Sequence, residues 1–399
     1  MTVGVLAGVL ALAVGVVHGQ ETEPSEEDSF KFRFGETLTH DSNLFRLPGG
    51  VSPAGGLERS SLLRTDMIGF AWAKRHSLQR LRAEASFEHH DYSNHDFLDF
   101  NAINGKLGWD WSLTPHLTGV VSFERKQGLV GFNDYRNLST RNLRTNETLV
   151  AAADYAISGG WHLVAAAIDY SSVSEDNSQP VEDAFSSRGL QTGVKYVFPS
   201  NSYLSYVVRR ENGDYPFSAV APATLLDTEF RQYVHEVQAA WAVTTATTLG
   251  ARLSQIEREH PNVGARDFSG TAGRLDLNWK ITDKTRLLAV LGRELTTFQT
   301  DYSNYIVTDS LSLAPVWQIT PKTALKLQLA HSRRDFRGTP FGPVDMREDR
   351  IFTRRIELNW EATRTLGLIA ALQHDRRESS YTGFDFKATM LLLGLRVAF

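Results

Sequence analysis

Residues 274–281 read Arg-Leu-Asp-Leu-Asn-Trp-Lys-Ile, so apolar and polar side chains alternate without a break. Successive side chains of an extended strand point to opposite faces, which gives this segment one apolar face and one charged face. The same alternation recurs in residues 80–88, 325–332 and 355–361. A barrel in lipid turns the apolar face outward and encloses the polar face around water. The pattern predicts an all-β protein, a transmembrane antiparallel β-barrel.

A second pattern, repeated about every 40 residues, joins an alternating strand to the next through a tight polar turn. The instances are residues 70–81, 109–119, 154–164, 195–205, 240–250, 277–288, 315–327 and 358–368. Blades of a propeller have this length, but a blade packs between two neighbours and cannot leave one face so heavily charged. Eight turns joining sixteen strands, with one strand before (30–34) and one after (387–399), predict eighteen strands. Sixteen is the alternative.

Aromatic residues support a membrane position. All eight tryptophans lie within a few residues of these turns: Trp72, Trp109, Trp111, Trp161, Trp241, Trp279, Trp317 and Trp360. Indole rings prefer the membrane interface, so one belt is predicted at the short-turn end. A second belt is expected at the far strand ends, formed by Tyr92, Phe132, Tyr170, Phe230, Phe298, Tyr305 and Phe352.

The long connections also favour the outer membrane. Residues 41–58, 127–141, 172–185, 211–227 and 335–349 are rich in Gly, Pro, Asn and Asp, and all lie at the end away from the short turns. Short periplasmic turns and long extracellular loops are typical of bacterial outer-membrane barrels. The chain ends on a period-two apolar run from Leu391 to Phe399. A terminal aromatic in that setting resembles the signal read by the barrel-assembly machinery, an expected partner.

The remaining composition fits an exported chain. Residues 3–17 are an unbroken run of Val, Gly, Leu and Ala, which predicts a signal peptide over 1–20. An acidic tail over 21–28 and one barrel domain over 29–399 follow. There is no Cys, and the formal net charge of −4 predicts no nucleic-acid partner.

No catalytic pattern is visible. The histidines do not form the helical pair of a zinc hydrolase, and no nucleophile elbow or phosphate-binding glycine loop occurs. His89-His90-Asp91 and His95-Asp96 fall in the predicted second loop, where a solvated surface is the simpler interpretation than a metal site. The protein is predicted to be no enzyme and to hold no metal or cofactor.

Charged residues on the polar face define the candidate site. We expect a lumen lined by Arg80, Arg82, Glu84, Glu88, Arg252, Arg274, Asp276, Lys326, Arg355 and Glu357. Rows of guanidinium groups suit anionic or hydroxyl-rich substrates. The alternative is that both signs pair across strands and brace the wall.

One short segment carries a family resemblance. Residues 38–48 include Asp41, Asn43, Phe45 and Arg46, and this stretch resembles the N-terminal motif of exopolysaccharide-biosynthesis outer-membrane proteins of the EpsL type. The turns at 111–115, 279–283 and 317–321 also resemble that family. The resemblance implies a porin-like barrel that acts in secreting or assembling an extracellular polysaccharide. From the residues alone, an Asx turn that starts the loop is the favoured role for the motif.

Three functions remain open from the sequence. The leading one is a pore or assembly component for export of an extracellular polysaccharide, which would then be a partner. The alternatives are a general or solute-specific diffusion porin, and a structural or adhesin barrel. Outer-membrane lipid and lipopolysaccharide are expected partners of any of the three.

Overall fold

The structure is a computed structural model that describes residues 29–134, 140–176, 182–215, 227–300, 303–338 and 346–399. These residues form eighteen strands in one antiparallel sheet, and each strand pairs with its neighbours in sequence. The first strand also pairs with the last, so the sheet closes into a barrel. The predicted signal peptide and tail lie outside the described residues. The single closed sheet excludes a propeller and settles the strand number at eighteen.

The strands follow the chain from end to end. They are β1 Ser29–Asp41, β2 Ser61–His76, β3 Gln79–Tyr92, β4 Phe100–Thr114, β5 Leu117–Leu129, β6 Leu143–Ser158, β7 Trp161–Ser174, β8 Ser186–Val197, β9 Tyr203–Asp214, β10 Glu229–Thr244, β11 Thr247–Glu259, β12 Phe268–Lys280, β13 Thr285–Thr297, β14 Tyr305–Thr320, β15 Thr323–Arg337, β16 Glu348–Glu361, β17 Leu366–Ser379 and β18 Phe386–Ala398. Short 3-10 turns occur at Ala54–Gly56, Asp96–Leu98 and Gly264–Arg266. None of the helical segments among the described residues has the length and apolar character needed to span a membrane.

The two ends of the barrel differ as the sequence predicts. Each of the eight predicted turns joins two strands at one end, and the longest of them spans residues 198–202. The opposite end carries the long connections. Several strands run further into them than expected: β1 extends to Asp41, β9 to Asp214 and β15 to Arg337. Polar outward side chains do not end a strand at the headgroup level, because the backbone ladder continues regardless of side-chain polarity.

The outward face is apolar between these ends. Its exposed side chains include Phe34, Ile68, Leu107, Leu253 and Leu393. All eight tryptophans lie near the short-turn end, and Trp241, the most exposed of them, has 61 % of its surface accessible. Indole rings at that level mark the periplasmic interface. One predicted aromatic belt is therefore present.

The second predicted belt is wrong for most of its members. Tyr92, Phe132, Tyr170, Phe230 and Phe298 are all at most 6 % exposed. They pack inside the extracellular end of the barrel, where long loops cover them. Of the other two members, Phe352 stays on the outward face against His331, and Tyr305 stacks on Phe268. The aromatic residues at this end fill space beneath loops, which alternation alone does not reveal.

The barrel closes at a seam that reaches the last residue. Phe399 and Phe32 exchange backbone hydrogen bonds of 3.0 and 3.1 Å. The ring of Phe399 also meets that of Phe34 edge-on, with centroids 6.3 Å apart. The terminal aromatic is thus part of the joint between the first and last strands.

The lumen and its two inward loops as a candidate functional site

The predicted lumen set shares one face of the sheet, opposite the exposed apolar side chains. Strand β3 carries Arg80, Arg82, Glu84 and Glu88, β11 carries Arg252, β12 carries Arg274 and Asp276, β15 carries Lys326, and β16 carries Arg355 and Glu357. Side chains alternate between the two faces of a strand, and the residues next to each of these charged groups are exposed apolar residues on the outward face. Each charged group therefore points inward.

Most of these charges have a partner on the wall. Arg82 donates to Asp110 at 2.8 Å, and Glu84 accepts from Arg33 at 3.4 Å. The pairs Arg274 with Asp276 and Arg355 with Glu357, each at 2.8 Å, lie two residues apart on one strand. Arg252 faces Glu236 at 3.8 Å, and Glu88 faces His90 at 3.4 Å. Pairing that braces the wall, the alternative open from the sequence, describes much of the set.

Some inward cations form no ion pair, although Lys106 and Lys326 have Glu84 and Glu357 as cross-strand neighbours. Within the described residues, Lys31, Lys106, Arg286 and Lys326 have no carboxylate at ion-pair distance. The inward positions hold more Arg and Lys than Asp and Glu, although the whole chain has a net charge of −4. The wall of the lumen therefore carries a more positive charge than the chain as a whole. Sequence reasoning missed Lys31, Lys106 and Arg286, although the same period-two rule would have found them.

The described start of the β5–β6 loop, residues 130–134, reaches the far wall through Asp134. Its carboxylate accepts hydrogen bonds from Arg334 at 2.9 Å, Arg347 at 2.5 Å and Arg377 at 3.0 Å. Arg347 and Arg377 also bind Asp349, at 2.7 and 2.8 Å. We call these five residues the latch.

The latch is buried and tightly packed. Asp349 is 0 % exposed, and the three arginines are at most 6 % exposed. Arg347 lies over the rings of Phe336 and Phe384, at 4.2 and 3.8 Å from their centroids. Buried ions need such compensation, and removing one partner leaves the others uncompensated. The β5–β6 loop is therefore held across the lumen by charge.

The described part of the connection between β7 and β8, residues 175–176 and 182–185, lies beside it. Glu182 accepts from Arg334 at 2.7 Å and from Thr296 at 2.9 Å. The backbone of Asp183 donates to the carbonyl of Thr297 at 2.9 Å, and the Asp183 carboxylate accepts from the Thr297 amide at 3.0 Å. Arg144 donates to the carbonyls of Glu182 and Asp183. Arg334 thus joins both loops to β15, and together they narrow the extracellular end.

The two loop carboxylates have opposite pKa shifts. Burial works to raise the pKa of Asp134, but the charges and hydrogen bonds of Arg334 and Arg347 outweigh it and hold that pKa below its ordinary value. Burial raises the pKa of Asp183 to about 6, and the neighbouring Glu182 adds to the rise. Asp134 therefore stays ionised in weak acid, whereas Asp183 becomes protonated.

A pH-dependent constriction follows from Asp183. An undocked loop would have an ordinary carboxyl pKa near 3.9, so the docked loop binds the proton more tightly. Protonation of Asp183 therefore stabilises the docked loop. This stabilisation is fully present at a pH below the carboxyl pKa of the undocked loop, and it is lost as the pH rises through about 6. We expect lower single-channel conductance at pH 5 than at pH 7.5, and no such difference in Asp183→Asn. Equal wild-type conductance at both pH values would contradict this.

The motif of the family resemblance folds the first loop. The Asp41 carboxylate accepts from the Asn43 amide at 2.9 Å, which is an Asx turn, and Arg46 pairs with Asp41 at 2.8 Å. The side-chain amide of Asn43 also donates to the Leu47 carbonyl and accepts from the Leu47 amide. Phe45 is fully buried among the aromatic residues beneath the loops. These contacts organise the loop and its attachment to β18.

The histidine segment differs from expectation. His89 and His90 lie within β3, not in a loop, and point to opposite faces. His95 is buried, its Nε2 donates to the Glu58 carbonyl at 2.9 Å, and its Nδ1 lies 3.3 Å from the Ser61 hydroxyl. Across the described residues no cluster of three or more His, Asp or Glu has metal-binding geometry.

Comparison with known proteins gives the class. The family model described as "Putative beta-barrel porin 2" matches residues 238–399. Among solved structures, OccK2 (OpdF) from Pseudomonas aeruginosa has a TM-score of 0.51 at 12 % identity, covering 93 % of this chain and 98 % of that one. The same protein in complex with glucuronate also has a TM-score of 0.51 at 12 % identity, with 94 % and 98 % covered. The outer membrane protein OpdK of that organism has a TM-score of 0.49 at 11 % identity, with 93 % and 99 % covered.

No curated protein matches the chain. At such low identity the likeness to solved structures is one of fold. Together with the eighteen-strand closed sheet, it defines this chain as a porin-like β-barrel of the bacterial outer membrane. The finer resemblance to the EpsL type stays a prediction.

Proposed function

We propose that the barrel is a diffusion channel selective for small anionic solutes. The observation that carries the proposal is a lumen with excess cations on its wall, narrowed by two inward loops. Spaced cations in a wet passage attract an anion without holding it in one deep site, which suits passage better than capture. OccK2, which shares the fold, has been solved with the sugar acid glucuronate. A carboxylate-bearing solute of that size is the substrate class we favour.

The unpaired lysines offer a clean test. Lys106→Gln with Lys326→Gln removes two inward charges without leaving a carboxylate unpaired. A unit charge at about 4 Å contributes about 1 kcal/mol in water, and less under salt. We therefore expect anion-over-cation permeability, measured from the reversal potential in a salt gradient, to fall roughly threefold to tenfold. Glucuronate flux into liposomes should fall more than glucose flux.

The outward lysines Lys74 and Lys387 supply the matched control. Both are exposed on the lipid side of their strands. Lys74→Gln with Lys387→Gln changes the chain's net charge by the same amount and should leave selectivity unchanged. A wild-type channel that prefers cations, or equal effects of the two pairs, would refute the proposal.

Polysaccharide export is the second candidate, supported by the EpsL-type resemblance of residues 38–48. The motif residues contact the loop and β18 rather than a passage, so they supply no polymer site. A deletion strain separates the functions. Loss of secreted polymer with normal solute uptake would favour export, and impaired uptake of small acids with normal polymer would favour the channel.

A further inference from the structure

Three arginines stand together on the outside of the barrel, at the extracellular ends of β8, β9 and β10. Arg188 and Arg231 both pair in register with Asn212, which lies between them on β9. Arg210 lies on the same face, one outward position nearer the membrane centre. Adjacent strands are about 4.8 Å apart, so the outer pair is spaced by about 10 Å. We call Arg188, Arg210 and Arg231 the outer arginine patch.

The patch surrounds an open depression of about 740 Å³. Its lining also includes Asn212 and the hydroxyls of Ser171 and Ser186, which hydrogen-bond each other at 2.9 Å. Arg188, with 87 % of its side chain exposed, binds Asp169 at 2.8 Å. Guanidinium groups beside an amide and two hydroxyls form a surface suited to a phosphorylated sugar.

The charge pairing here differs from that of several other outward arginines. At the same level, Arg293 pairs with Asp309, Arg350 with Glu348 and Arg376 with Glu378. In the described part of the chain, Arg210 and Arg231 have no carboxylate at ion-pair distance, although Asp214 and Glu229 line the same depression. Arg210 instead lies over the Tyr233 ring, 5.7 Å from its centroid. Two guanidinium groups thus remain available to an outside anion.

The depth of the patch identifies the anion's source. Arg231 precedes Trp241 of the periplasmic belt by ten positions on β10. At 3.3 Å per residue and a tilt near 40°, that separation is about 25 Å along the membrane normal, which equals the height of the apolar band. The patch therefore lies at the headgroups of the outer leaflet. We propose that it binds the phosphorylated sugar headgroup of an outer-leaflet glycolipid, with the phosphate on Arg210 and Arg231.

The test measures glycolipid retained by the folded full-length barrel in detergent, by native mass spectrometry, with bisphosphorylated lipid A as probe. Arg210→Ser with Arg231→Ser should reduce the bound fraction roughly tenfold, because charge-assisted hydrogen bonds to phosphate are lost. The control variant, Arg293→Ser with Arg350→Ser, changes two outward arginines at the same level and should leave the bound fraction unchanged. Removing the phosphates from lipid A should weaken its binding to the wild-type protein at least as much as the patch substitutions weaken the binding of phosphorylated lipid A.

Three results would overturn the proposal. They are equal retention by the patch variant and wild type, equal loss in the control variant, or displacement of the glycolipid by low concentrations of inorganic phosphate. The last would assign the patch to a free anion. Gel mobility before and after boiling shows whether each variant has folded, so a misfolded protein cannot be mistaken for a loss of binding.

Discussion

Asp134→Asn is expected to release the β5–β6 loop and raise single-channel conductance several-fold. The substitution keeps the side-chain volume but removes the negative charge shared by Arg334, Arg347 and Arg377. Breaking a buried ion pair costs about 3–5 kcal/mol, which lowers the ratio of docked to undocked loop more than a hundredfold. The loop should also become open to protease while the barrel itself stays folded.

The exposed Asp96 provides the control for this experiment. It lies in the β3–β4 connection, away from the latch. Asp96→Asn removes the same charge from an extracellular loop and should change neither conductance nor protease cleavage. Unaltered conductance in Asp134→Asn, with the loop still resistant to protease, would show that the latch does not set the constriction.

Deletion of Phe399 is expected to produce the second large effect, a loss of protein from the outer membrane with export to the periplasm intact. Two backbone hydrogen bonds with Phe32 and the ring contact with Phe34 disappear together. Each of these three interactions contributes about 1 kcal/mol, so their loss makes closure of the seam about 3 kcal/mol less favourable. The equilibrium constant for closure then falls roughly a hundredfold. Cell fractionation with immunoblotting measures the outcome.

Phe399→Tyr should assemble normally, since it keeps the backbone bonds and the ring. This variant separates the seam from any other effect of altering the terminus. Normal outer-membrane levels of the deletion protein would mean that the barrel closes without its last residue.

The barrel itself follows from local rules. Arg274 to Ile281 alternates because one side meets lipid and the other water, and this signal is contained in each strand separately. The inward positions of Arg82, Lys326 and Glu357 follow from the same rule. Strand number needs only a count of turns. These features could be read from the sequence because each depends on residues close together in the chain.

The constriction depends on residues far apart in the chain. Asp134 meets Arg334 and Arg377 across the lumen, about two hundred or more positions away in sequence. Nothing near Asp134 distinguishes it from any loop aspartate. Phe132 and Phe230 were misplaced for the same reason, since an aromatic at a strand end can face lipid or lie beneath a loop. Only the three-dimensional arrangement of the loops decides between the two.

The single tryptophan belt has a mechanical consequence. Indoles fix the barrel's height relative to the inner leaflet, while most of the aromatic residues that might have fixed the other end are buried inside. Much of the outward surface there carries charged pairs such as Arg293 with Asp309. Such groups keep their hydration only above the apolar band, so outside the outer arginine patch the extracellular end lacks the aromatic anchors that fix the periplasmic end. A change in the thickness of the outer leaflet would then be accommodated at the extracellular end, and the periplasmic turns would keep their level.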